Sequence, residues 1–448
     1  MTILPDTPQG FWDDFASVFT RPTARRFLTL LGAGILAVGR RTVANLLRTA
    51  GSLAAGAASS YRRVFSQARW SSIRLACVLA RRIIDLLPAD AAIVLVGDDT
   101  VFAHPGRHVF GKARHRDPVR SSHAYTAWRY GHKWVVLAVL VRFPFALRPW
   151  ALPVLVALYR SEDDDRRERR RHRTPAQHAI RLLRLMFHWF PSRRFVFVGD
   201  SAYGTHEMAR FCQRHRERLA LVSKLHPEAN LFAPAPAYRG QGRPRVKGAR
   251  LPKPQAAVAA AKRRRHRTVA WYGGGTRRVE TVSGNGCWYK AGAGVVPIRW
   301  VFVHDRDGTH RQEFFYTTAT DPAFAVRQIV ETYTGRWNIE TTFQETRSGL
   351  HLETTRGWSR STVLRAAPCL FGLYSVVAML YAALPREHRL GRIAWPGKAS
   401  VTFSDALSAV RRWLWAEGVF SHLPDGLSVK KLPPPIREVL YAALAPAA

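Results

Sequence analysis

Acidic residues are scarce in this 448-residue chain: 31 Asp and Glu stand against 69 Lys and Arg, a formal net charge of +38. Such an imbalance argues for a polyanionic partner, most simply nucleic acid, with an anionic membrane surface or a ribosome-like structural role as the alternatives. Cysteine is scarcer still. Cys77, Cys212, Cys287 and Cys369 are far apart and form no Cys-x-x-Cys pair, which excludes a disulfide framework and a zinc knuckle as the organising device. Long apolar runs are almost missing. Ala366 to Leu384 is long enough to raise the membrane question, but it contains Pro368 and is read as a buried helix beneath a sheet. The first residues lack the basic opening of a signal peptide, since Asp6, Asp13 and Asp14 stand there, so a cytoplasmic, nucleoid-associated protein without a membrane partner is expected.

What is present is a folded chain. Hydrophobic residues make up 47% of it, and its length suits two or three domains with ample cores. The stretch from Tyr333 to Arg347, read as a helix, places Tyr333, Arg336, Glu340, Gln344 and Arg347 three or four residues apart along one face. Ile339 and Phe343 lie on an adjacent stripe that can anchor it. A carboxylate flanked by bases suits a metal ion beside a phosphate, although an ordinary surface helix has the same pattern. Two apolar runs upstream end in carboxylates: Ala91 to Gly97 followed by Asp98 and Asp99, and Phe195 to Gly199 followed by Asp200. Both read as buried strands that deliver an Asp to the edge of a sheet. Together with Glu340 they form an all-oxygen set suited to a hard divalent cation such as magnesium.

With those residues in view, the sequence resembles the DDE transposases of bacterial insertion sequences, in the branch marked by Tyr-x2-Arg-x3-Glu-x6-Lys. Tyr333, Arg336 and Glu340 fit the pattern, and Arg347 takes the place of the final Lys. Asp99 in Asp-Asp-Thr and Asp200 in Gly-Asp-Ser match the two aspartates, over a resemblance that covers roughly residues 90 to 385. It implies an α/β fold with an RNase H-like mixed sheet flanked by helices. It further implies cleavage at terminal inverted repeats and strand transfer into target DNA, with Tyr333, Arg336 and Arg347 holding transposon-end phosphates. Two magnesium ions (manganese as a substitute) would be held by Asp99, Asp200 and Glu340, with Asp99 as the bridging ligand. Successive strand residues face opposite ways, so only one of Asp98 and Asp99 can join such a site; the resemblance selects Asp99. The partners expected are double-stranded DNA and a second subunit in the DNA complex. A nuclease acting by hydrolysis alone and a non-catalytic DNA-binding repressor are the competing classes.

Along the chain, residues 1–90 read as a helical domain expected to bind DNA, with helices at Arg25–Leu36 and Arg41–Arg48. Residues 91–225 and 321–385 read as the catalytic domain. After Asp99 comes a loop dense in His and Arg, from His104 to His123, read as a basic loop on DNA rather than a zinc site. Ser161–Arg173 reads as a solvated charge run. Residues 226–320 read as a mainly β insertion whose basic lobe, Tyr238 to Arg278, has thirteen Lys or Arg and no acid. Arg263, Arg264 and Arg265 are its candidate DNA contacts. Trp271, Tyr272 and Trp288 can stack on an extruded base, though packing in a small sheet is the favoured reading. Residues 386–448 hold a helix, Ser404–Trp415, and a Pro-rich tail around Pro433 to Pro435.

Overall fold

The computed structural model describes residues 4–446 apart from 6–9, 118, 119, 123, 241, 308–311, 322, 323, 390–397, 399 and 423–428. Five helices open the chain: α1 (Phe11–Ala16), α2 (Arg21–Leu36), α3 (Val43–Ala50), α4 (Ala58–Ser66) and α5 (Ser72–Ile84). Thr42 and Ser71 cap α3 and α5 by accepting from the backbone of Asn45 and Arg74. The amphipathic spacing of α2 buries Phe27, Leu30 and Ile35, which join the main core.

The apolar runs of the middle third become strands: β1 (Ile93–Ala103), β2 (Ala113–Arg116), β3 (Trp128–Val141) and β4 (Trp150–Tyr159). The short α6 (Glu162–Arg167) and the long α7 (Pro175–Trp189) lead to β5 (Phe195–Gly199), α8 (His206–Arg214) and β6 (Leu219–Lys224). The sheet runs β4-β3-β1-β5-β6, with β3 antiparallel to both β4 and β1, and β1, β5 and β6 mutually parallel. That is the strand order of an RNase H-like sheet, as expected. The supposed solvated charge run after β4 is partly a structural device: Arg160 and His172 both close on the buried Asp165 carboxylate.

The basic insertion does not build a sheet of its own. After the two-residue β7 (Leu231–Phe232) and α9 (Pro254–Ala259) come β8 (Arg265–Ala270), β9 (Thr276–Lys290), β10 (Gly294–Asp305) and β11 (Glu313–Thr317). β11 pairs with β6, so the insertion strands extend the central sheet to eleven strands. β9 is one continuous strand, and its residues Val279–Lys290 pair with β10.

Helices α10 (Val326–Gly335) and α11 (Asn338–Ser348) follow, joined through Arg336 and Trp337, whose backbones stay in the right-handed helical region. α12 (Arg360–Ala383) is the apolar run. It is long and apolar enough to cross a membrane by length and composition, but two-thirds of its most apolar stretch is buried inside the fold. There Phe371 packs on Phe102, and the Ser375 hydroxyl donates to the Pro153 carbonyl of β4. α13 (Phe403–Trp413) and α14 (Pro434–Leu444) complete the chain, the Pro-rich tail serving as the first turn of α14.

Candidate active site

Strand register brings the acids together. β1 and β5 run parallel with Gly97 opposite Gly199, so the next residues along stand side by side: Asp98 within β1, which continues to Ala103, and Asp200 just past the end of β5. The approach is close at both glycines: a Cβ on Gly97 would stand 2.6 Å from the Phe197 ring, and one on Gly199 would stand 2.5 Å from Tyr203 Cβ. After β5 the chain turns tightly, the Asp200 carboxylate accepting from the Ala202 amide at 2.9 Å.

Asp98 and Asp99 face opposite sides of the sheet, as alternation requires, and their partners show which side is which. Arg336 Nη1 donates to Asp98 at 2.7 Å, and its Nη2 donates to Glu340 at 2.8 Å. One strand pair further along the same face, Arg347 donates to the Thr100 hydroxyl. Asp99 looks the other way, towards Lys133 at 2.9 Å and the Tyr203 hydroxyl at 3.4 Å. Asp98 is thus the strand acid on the face covered by α11, and Asp99, which the resemblance selects, lies on the opposite face. Sequence alone could not show this, because the choice depends on which face of the sheet receives the helix.

The electrostatics reflect crowding. Burial pushes the Asp98 carboxyl up to about 7, with Asp200 and Asp99 adding repulsion and Arg336 opposing it. Asp99 is raised too, by burial first, against the pull of Lys133. Burial works against the Arg336 charge, but Asp98, Tyr333 and Glu340 hold its guanidinium above the usual range. Among the described residues no three His, Cys, Asp or Glu side chains stand as a ready-made metal cage. The donors nevertheless fit a hard cation. They are carboxylate oxygens, with Arg336 paired to Asp98 and Glu340 and Lys133 paired to Asp99.

The remaining sequence candidates divide. Tyr333 is buried, its ring stacked on Phe315 at 4.2 Å with the Arg336 guanidinium 5.8 Å from its centre, so it backs the site from the core. Arg347 also pairs with Glu353 at 3.3 Å. Arg263, Arg264 and Arg265 are exposed around the start of β8, Arg264 pairing with Glu280 at 3.3 Å, and none of them bonds to the carboxylate cluster. Trp271 is buried and Trp288 packs edge-on to Tyr316, as the packing reading anticipated. In the His-rich loop, His104 and His115 are buried, burial lowering the His115 ring to about 4; neutral core histidines there leave the arginines to carry the charge. His123 lies outside the described residues.

Three neighbours escaped the sequence reading. Lys133 reaches Asp99 because β3 places it opposite Val101, on the same face and one pair further on. Tyr203 signals itself only by following Asp200 closely. Trp337, 45% exposed beside Arg336, stands edge-on to Tyr272 at 6.0 Å, and its neighbourhood to Arg336 was the available hint.

Comparison with known proteins finds one family. No protein of curated function matches the chain. Among solved structures, the piggyBac transposase synaptic complex with hairpin DNA aligns at 9% identity and a TM-score of 0.40, covering 95% of this chain and 77% of that one. The family model described as DDE superfamily endonuclease matches residues 14–278, from the N-terminal helices through Asp98, Asp99 and Asp200 into β9. The chain belongs to the DDE superfamily endonucleases.

Proposed function

We propose that this chain is an insertion-sequence transposase that cuts DNA at the ends of a mobile element and joins them to target DNA. The observation that carries this reading is the meeting of strand acids, Asp200 and the Glu340 helix at one end of an RNase H-like sheet. The family match and the +38 charge agree with it.

Asp200, Glu340 and one of the β1 acids would hold the divalent ions, magnesium or manganese. Asp98 is the member we favour, because it shares Arg336 with Glu340 and stands in β1 beside Asp200. Asp99, the choice made from sequence, remains the comparison. When bound, such ions supply a deprotonated oxygen nucleophile and neutralise charge on the leaving oxygen. The chain's own part is positioning. Arg347, partly exposed, presents a guanidinium suited to phosphate contact, and Arg336, backed by Tyr333, orients the Asp98 and Glu340 carboxylates. Lys133 and Tyr203 hold Asp99 in one orientation, which limits the carboxylates' freedom before DNA arrives. The DNA would run across the basic surface, with the N-terminal helices, the insertion's arginines and a second subunit as further contacts.

The test is to incubate the protein with duplexes carrying the sequences that flank its coding region, a target plasmid and magnesium, and to map the products. Breaks at defined ends followed by joined products support transposition. Breaks without joining would make it a hydrolytic nuclease, and binding without breaks would make it a repressor.

A further inference from the structure

The β2–β3 hairpin carries an aromatic surface that none of the site chemistry uses. Alternation places Trp128, Tyr130, His132 and Trp134 on one face of β3, and Trp134 lies opposite Thr100, on the face of β1 that also bears Asp98. The inner two of these four, His132 and Trp134, are buried, whereas Trp128 is 49% and Tyr130 is 59% exposed. Cross-strand register sets Arg114 opposite Tyr130 and Arg116 opposite Trp128, and both arginines are exposed. The Arg114 guanidinium lies over the Trp128 ring at 3.9 Å. Tyr125, in the connecting loop, is 66% exposed. The hairpin is held to β1 by a contact that only glycine permits: a Cβ on Gly131 would collide with the Phe102 carbonyl at 1.7 Å.

Large bare rings interleaved with arginines on a flat strand surface match the needs of unpaired nucleobases. Each base presents a π-face whatever its sequence, and the cations between the rings meet the backbone phosphates. A solubility surface would not spend two aromatic rings in register with two arginines. Six residues of β3 separate Val136, opposite Asp98, from Tyr130, which is about 20 Å along the strand. At about 3.4 Å per nucleotide step this is roughly six nucleotides of DNA from the carboxylates.

Resting on the transposase reading above, we propose that Trp128 and Tyr130, with Arg114 and Arg116, form a stacking platform for unpaired DNA bases beside the cleaved end. The platform holds a displaced or frayed strand while the duplex lies at the carboxylates.

The experiment compares two fluorescently labelled DNAs of equal duplex length, one blunt and one with a short single-stranded tail containing 2-aminopurine, at fixed salt without metal. The full-length protein is expected to bind the tailed DNA about tenfold more tightly than the blunt one and to quench the 2-aminopurine, because stacking shields the base. The double variant Trp128→Ala, Tyr130→Ala should lose that preference and the quenching while keeping its affinity for blunt duplex. Trp128→Phe alone should retain most of both, and unchanged melting temperatures confirm that the variants fold. Equal affinity of the unaltered protein for both DNAs, or a preference that survives the double variant, overturns the platform alone. So does a change of oligomeric state in the double variant with the preference intact, which would make the patch a contact between protein copies. Failure to bind either DNA overturns the transposase reading and the platform with it.

Discussion

Asp98 and Glu340 share a single guanidinium: Arg336 donates to the first, 238 positions away in sequence, at 2.7 Å and to the second at 2.8 Å, tying strand β1 to helix α11. The Arg336 side chain is 9% exposed and that of Asp98 16%, so the pair sits where solvent screens poorly. A guanidinium in that place neutralises two of the acids that a divalent cation would otherwise satisfy. It therefore belongs both to the stability of the fold and to the readiness of the site.

Removing it should expose that dual role. Arg336→Ala leaves Asp98 buried without its counter-charge, and at pH 8 this should cost roughly 2–4 kcal/mol in urea unfolding. Asp98 titrates at about 7 with Arg336 present, so at pH 5 it is mostly protonated and has less need of a partner. The penalty should then shrink. A loss of stability equal at both pH values would mean that Arg336 contributes by packing and not by charge.

The acids themselves are separable by single isosteric changes. Asp98→Asn, Asp200→Asn and Glu340→Gln should each lower DNA cleavage by on the order of 10⁴-fold, since ligands that act as a unit fail together. DNA affinity should remain. Asp99→Asn should cost far less, because its carboxylate faces Lys133 and Tyr203 on the other side of the sheet. Cleavage assays that find Asp99→Asn dead and Asp98→Asn active would restore the choice made from sequence and remove the geometric argument for Asp98.

Much of this was legible in the residues and some could not have been. Runs such as Ile93–Gly97 and Phe195–Gly199 declare buried parallel strands, because only a sheet covered on both faces tolerates such continuous apolarity. The Tyr333–Arg347 spacing declared a helix and its fixed charges. What stayed hidden depends on long-range pairing. That Lys133 faces Asp99 follows from the β1–β3 register, and that β9 to β11 continue the central sheet follows from Thr317 pairing with Val222. Local pattern carries neither fact. The exposed side of Trp128 and Tyr130 was equally invisible, since an aromatic in a strand is ordinarily core.

The insertion's basic lobe should act on DNA through charge. Binding of the full-length protein to non-specific duplex should weaken linearly on a log–log plot against salt. Changing Arg263, Arg264 and Arg265 together to Ala should flatten that slope by up to about 2.7 if each neutralises one phosphate. Filter-binding titrations across a salt series give the slopes directly. Identical slopes for the two proteins would mean that the three arginines lie off the DNA path, and a flat response from both would remove nucleic acid as the partner.

Metal binding should be linked to the Asp98 proton. Its carboxyl is raised to about 7 in the fold from an ordinary value near 4, chiefly by burial. A group raised in this way contributes stability that is fully present below about pH 4 and is lost as pH rises through about 7, because folding then has to accommodate a buried charge. A divalent ion reverses the penalty by pairing with the ionised form, and to do so it must displace the proton. Without metal, the melting temperature should therefore fall between pH 5 and pH 8, and Asp98→Asn should fall less. The rise in melting temperature caused by magnesium should be small at pH 6 and larger at pH 8, with affinity changing by up to about tenfold per pH unit while one proton is displaced. In Asp98→Asn that growth with pH should disappear, whereas Asp99→Asn should keep most of it. A magnesium effect of equal size at pH 6 and pH 8, or one unchanged in Asp98→Asn, would show that the ion binds without Asp98.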